Sequence, residues 1–175
     1  MTLPAVIGNG LAWFLVCLFA QAAVHKLGAP RYYRELMRHY VGAVGGGLAV
    51  WLVAALEAGI ALSLLVPQWR AAGLAAAASL LLVYAGLMSR QVLRGETDMQ
   101  CGCAGPDSQL GISWGLVVRN GVCAGLALLA LTAGDAAAVG WAGLCLSLFI
   151  ALFAVLVYET SEQLISNAQW MAGEG

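Results

Sequence analysis

What most constrains this chain is where its charges are absent. Uncharged tracts run over residues 1–24, 41–56, 58–69, 71–89, 108–118, 120–134 and 136–158. About 20 apolar residues at 1.5 Å rise per residue cross a bilayer core of roughly 30 Å, so tracts of this length read as membrane spans. The tracts predict an all-α, polytopic transmembrane helical bundle with five spans, at about 4–25, 44–67, 70–92, 111–133 and 138–158. Composition agrees: 62% of residues are hydrophobic and 10% charged, with a mean hydropathy of +0.86. A soluble domain carries about 25% charged residues. No stretch between tracts is long enough for an independent soluble fold, so a single membrane domain is expected over 1–175. The net charge of −1 leaves no electrostatic footprint for nucleic acid.

Ala20-Gln21-Ala22 fits a small-residue cleavage pattern, but Met1 to Gly10 lacks Lys and Arg and the apolar tract is too long for a signal peptide. The first span is therefore read as a retained helix. Trp69, Trp114 and Trp141 fall at predicted span ends, where an indole prefers the headgroup region. Ala, Gly and Ser recur in every span and allow close helix approach in lipid, which favours a compact bundle. After Pro30, Arg31 to Tyr40 spaces Tyr33, Leu36, Met37 and Tyr40 at helical intervals, the pattern of a short interfacial amphipathic helix with its arginines toward headgroups.

With five spans, the linker after the first, the loop after the third and the C-terminal tail share one face of the membrane. That face carries His25, Lys26, Arg31, Arg34, Arg38, Arg90 and Arg94, whereas the other carries Arg70. The positive-inside rule would make this basic face cytoplasmic.

The loop at about 93–110 sits on the basic face and contains Cys101-Gly102-Cys103. Thiols two residues apart can approach the 4.4–6.8 Å Cα separation of a disulfide only if the chain turns, which Gly102 permits. Such a bond is strained, hence oxidising and exchangeable rather than a staple. His25, Lys26 and the nearby arginines would lower the thiol pKa and raise the thiolate fraction. A metal is the competing use of the pair, with Asp98 or Asp107 as further ligands, although two thiols are an incomplete set for tetrahedral zinc. Cys17, Cys123 and Cys145 fall within spans, where free cysteine usually packs as a small hydrophobe. Cys17, Gln21 and His25 are spaced by four and form a polar stripe toward the loop side.

Two charges lie within the hydrocarbon, Glu57 in the second span and Arg119, followed by Asn120, in the fourth. Their depths differ by only a few ångströms when rises are counted. An unpaired charge costs at least about 2–3 kcal/mol there, so Glu57 is expected to pair with Arg119 across neighbouring helices. The pair would either fix the register of the bundle or hold a polar ligand such as a quinone headgroup.

His25-Lys26-Leu27, Pro30 with its aromatic-basic segment, Glu57-Ala58-Gly59, Cys101-Gly102-Cys103-Ala104-Gly105, Ile112-Ser113 and Arg119-Asn120 together resemble the MauE family, grouped with the DoxX-like membrane proteins. Ala104 stands where that family often has an aromatic residue. The resemblance implies a redox-associated protein of the bacterial inner membrane, working with a thioredoxin-like (MauD-type) partner to make or reshuffle disulfides in an exported client. In methylamine utilisation that client is the disulfide-rich small subunit of methylamine dehydrogenase. Cys101 and Cys103 would be the exchanging pair of a thiol-disulfide oxidoreductase. The rival reading is a small carrier in which the two cysteines capture a soft metal ion, or a scaffold in which they are idle.

The charge rule and the resemblance disagree about the basic face, since disulfide formation belongs outside the cytoplasm. The implied partner favours the exoplasmic placement. Alternatively the chain would relay electrons from cytoplasmic thiols through Cys17, Cys123 and Cys145. With the exoplasmic placement, a membrane-impermeant thiol reagent will label Cys101 and Cys103 in intact spheroplasts. Labelling confined to inverted vesicles would instead uphold the charge rule.

Overall fold

A computed structural model describes residues 3–41, 46–95, 110–133 and 140–173. The helices are α1 (Leu3–Gly28), α2 (Pro30–Val41), α3 (Gly46–Leu65), α4 (Arg70–Arg94), α5 (Trp114–Thr132) and α6 (Trp141–Gly173). All except α2 are long and apolar enough to cross a membrane. The protein is therefore an all-α, multi-pass membrane bundle.

The breaks between helices follow local chemistry. Gly28 ends α1, and Pro30 opens α2, where a missing N–H costs nothing in the first turn. Between α3 and α4 the chain turns through extended Val66 and a short 3₁₀ turn at Pro67–Trp69. Arg70 secures that corner, its Nε donating to the Leu64 carbonyl at 3.2 Å and its Nη1 to Asn9 Oδ1 of α1 at 2.9 Å. Gly95 closes α4 in the left-handed region at φ 75°, a conformation that glycine adopts without a Cβ clash.

α3 packs on α1 and α4, and α5 packs on α4 and α1. These four helices form a closed square with α3 and α5 on one diagonal. Its core is built from Leu15, Phe19, Ile60, Leu64, Leu81 and a run of alanines including Ala77, Ala124 and Ala127. Small side chains let the backbones approach, which replaces the hydrophobic drive that lipid does not supply. α2 lies on α3 and buries Tyr33 and Leu36 against Val50, leaving Arg31, Arg34 and Arg38 exposed. That is the amphipathic arrangement expected for an interfacial helix.

α6 stands outside the square, against α1. The contact is close because Gly10 has no side chain: a Cβ there would lie 2.8 Å from Ile150 Cβ and 2.9 Å from the Ser147 carbonyl. Ser147, fully buried, donates to the Val6 carbonyl at 3.0 Å. At 33 residues α6 is about 50 Å long, and it continues as helix well past residue 158, where the charge-free tract ends. The outer face of α6, with Phe149, Leu152 and Leu156, is left to lipid.

Gly10→Val should overpack the α1–α6 contact and lower stability by about 1–3 kcal/mol. Gly86→Ala, where a Cβ meets nothing within 4 Å, should not destabilise. Thermal unfolding of both variants in detergent tests the difference.

Candidate functional site

A helical side chain leaves its backbone tilted toward the helix N-terminus. α1 and α6 end at the basic face, so charged groups in their last turns point back into the membrane. α3 and α5 begin at that face, so charged groups along them point up toward it. Acids and bases from opposed helices thereby converge one to three turns below the basic surface.

The first convergence is Lys26 with Glu57. Lys26 Nζ lies 2.9 Å from Glu57 Oε1, and the two residues are 3% and 0% exposed. Tyr84 of α4 donates its hydroxyl to the same oxygen at 2.7 Å. The Tyr33 ring of α2 lies 5.3 Å from the ammonium, so the interfacial helix covers the pair with an aromatic face. Glu57 Oε2 is buried and has no hydrogen-bond partner among the described residues.

The second convergence is Arg119 with Glu162. Arg119 Nη1 donates to Glu162 Oε2 at 3.0 Å, and the guanidinium lies over the Tyr158 ring at 4.4 Å. Nearby, Gln21 Nε2 of α1 donates to Glu159 Oε1 of α6 at 3.3 Å. Asn120 turns inward, donating to the Leu116 carbonyl at 2.9 Å and meeting Met88 sulfur at 3.7 Å.

The expected Glu57–Arg119 pair does not form. α3 and α5 are diagonal in the square, and each charge finds a partner on a helix beside it. Depth counted from span ends was matched, but azimuth was not, and the two actual partners sit at places that rise counting assigns to a surface linker and a tail. Lys26, Tyr84, Tyr158 and Glu162 are the residues the sequence reading missed in these roles. The available signal was helix direction combined with Cβ tilt.

Between the two pairs lies a cavity of about 30 Å³, lined in part by Gln21, Glu57, Tyr84, Asn120, Tyr158 and Glu162. A water needs about 10–15 Å³ by the same measure, so one or two fit, with Glu57 Oε2 as an acceptor. Of the predicted stripe, Gln21 lines this cavity, while His25 is half-buried with Nδ1 unpartnered among the described residues. Cys17 does not join it: the thiol is free and faces outward, as does Cys145, while Cys123 is buried. Lys26 is also not a surface cation beside a loop thiol, because its ammonium is enclosed and neutralised by Glu57. Cys101 and Cys103 lie outside the described residues.

The chain around the Cys-Gly-Cys segment is anchored on the basic face. It leaves at Gly95 and returns at Leu110, which packs with Met88, Ile112 and Leu116. Gln169 of α6 grips the return from the side, accepting from the Gly111 N–H at 3.1 Å and donating to the Gly111 carbonyl at 2.8 Å. Among the described residues no group of three or more His, Cys, Asp or Glu side chains is placed to hold a metal ion.

Lys26→Met should strand a buried carboxylate and cost about 3–5 kcal/mol. Adding Glu57→Gln should recover most of that loss, since the amide oxygen still accepts from Tyr84. A double-mutant cycle on unfolding in detergent measures the recovery; a double variant no more stable than Lys26→Met would show that the pair is not what holds α1 to α3.

Comparison with known proteins covers the same region. Residues 4–133 match the family described as Methylamine utilisation protein MauE. The Methylamine utilization protein MauE of Paracoccus denitrificans is 35% identical over 128 residues, which is 72% of this chain and 68% of that protein. The protein of the same name from Paracoccus versutus is 30% identical over 117 residues, 66% of this chain and 63% of that protein. No solved structure matches the chain at a significant level. From the family match and the shared identity along most of its length, the chain belongs to the MauE family.

Proposed function

We propose that this protein is a redox protein of the bacterial inner membrane that supports disulfide formation or exchange in exported proteins through Cys101 and Cys103. The observation that carries this reading is the Cys-Gly-Cys sequence on a segment that both leaves and rejoins the bundle at the basic face, with its return clamped by Gln169. A rigid base under a short segment suits a pair of thiols that must be presented to another protein. The exchange needs no external reagent: a thiolate of one dithiol attacks the disulfide of the other, and the resulting mixed disulfide is resolved by the second thiol. Two electrons and two protons pass between the partners.

The partner under this reading is a thioredoxin-like protein, and the client an exported protein rich in disulfides. The names of the relatives point to methylamine utilisation, which makes methylamine dehydrogenase maturation the first client to test. With Lys26 committed to Glu57, tuning of the thiolates falls to His25 and to Arg90 and Arg94, both exposed in the last turns of α4. The small water-sized cavity between the ion pairs serves the bundle rather than a cofactor, being too small for a ring.

Thiol trapping followed by mass spectrometry of protein from growing cells should find part of the population with a Cys101–Cys103 disulfide. Cys101→Ser and Cys103→Ser should each abolish client maturation without lowering the amount of protein in the membrane. A pair that is always reduced and binds a soft metal stoichiometrically would favour the carrier reading. A fully active double Ser variant would favour the scaffold.

A further inference from the structure

A second and larger cavity opens sideways into the lipid. α6 touches α1 at Gly10, where a Cβ would meet Ile150, and closes on α5 again at Gly115, where a Cβ would lie 3.2 Å from Ile165. Between these two pinch points the helices part, and a cleft of about 460 Å³ remains, with Leu11 and Phe14 of α1 as its floor. Val122, Cys123 and Leu126 form one wall, and Phe153, Ala154 and Val157 the other. Its polar groups gather at one end: Arg119, Tyr158 and Ser161.

Depth and charge identify what fits. The cleft runs from Gly115 to Leu126 along α5, about 16 Å, and from Ile165 to Ile150 along α6, about 22 Å. One leaflet of the hydrocarbon core is about 15 Å thick, so the cleft spans one leaflet along α5 and reaches past the midplane along α6. Its polar end lies near the basic face and its apolar end near the midplane. The occupant is therefore an amphiphile with one slender hydrocarbon tail, entering from the bilayer. The positive charge of Arg119 is balanced by Glu162 at 3.0 Å, and an anionic phosphate would meet that carboxylate. A neutral, planar head that accepts hydrogen bonds suits Arg119, whose guanidinium already lies over the Tyr158 ring, better.

We infer that the α5–α6 cleft binds an isoprenoid quinone, its ring at Arg119, Tyr158 and Ser161 and its tail between Val122 and Phe153. Binding stands on the geometry alone. Resting on the redox reading above, a quinone held on the basic face is also the two-electron acceptor for the thiol pair. Two thiols of Cys101 and Cys103 become a disulfide as the ring takes two electrons and two protons to become the quinol.

The test uses the full chain in nanodiscs of neutral phospholipid, titrated with decylubiquinone. One molecule per chain should bind saturably. Val122→Trp, at a lipid-exposed position that fills the cleft, should weaken binding about tenfold or more. Leu148→Trp, also exposed but on α6 outside the cleft, should leave it unchanged, with both variants matching the wild type in thermal stability. Arg119→Lys, which keeps the charge pair but not the planar donor fork, should also weaken it. No saturable binding, equal loss in both Trp variants, or native mass spectra in which Val122→Trp removes a bound phospholipid that decylubiquinone never displaces would overturn the assignment. Binding with no reduction of decylubiquinone by the dithiol form would leave the site standing and refute the redox role.

Discussion

The buried contact between Lys26 and Glu57 is the constraint on which the rest of the bundle depends. In hydrocarbon a lone ammonium or carboxylate is expensive, so neither helix can slide or rotate away from the other once both residues are in the chain. The pair ties α1 to α3, Tyr84 adds α4, and Tyr33 brings α2 down over the top. Four helices thus answer to one carboxylate. This also explains why α2 is held against α3: turned away, it would uncover a buried charged pair.

Arg119 and Glu162 do the corresponding work on the other side of the bundle. Without them α6 would have little reason to lean toward α5, since most of its surface faces lipid and its tight contact is with α1. Held at Gly10 on one end and drawn toward α5 at the other, α6 spans a gap instead of filling it. The lateral cleft is the result. Placing a neutralised arginine at its polar end makes that gap selective by charge and not only by shape.

Both pairs sit near the basic face, and so do the anchors of the Cys-Gly-Cys segment. Polar function is concentrated in one leaflet, while the opposite half of the square is alanine, leucine and phenylalanine. Among the described residues the charged exception in that half is Arg70, which donates to Asn9 at the α3–α4 corner. A membrane protein that handles polar chemistry at one surface has no need of charges at the other, and each would add an insertion cost.

Much of this was legible in the chain itself. Uncharged tracts bounded by Trp69, Trp114 and Trp141, the Pro30 break and the amphipathic run after it set the number and kind of helices, because hydrocarbon thickness and backbone hydrogen bonding leave a membrane chain few options. The Cys-Gly-Cys segment and the isolated Glu57 and Arg119 were equally visible as residues that need a reason. What only the tertiary structure decided was who meets whom. Pairing of Glu57 with Lys26 and of Arg119 with Glu162 depends on which helices are adjacent and on the rotation of each about its axis, neither of which is encoded in spacing along a single helix. Helix continuation to Gly173 and the parting of α5 from α6 are likewise decided by contacts between distant segments. Depth in the membrane is a property of one helix and can be counted from sequence; azimuth is a property of the packed bundle and cannot.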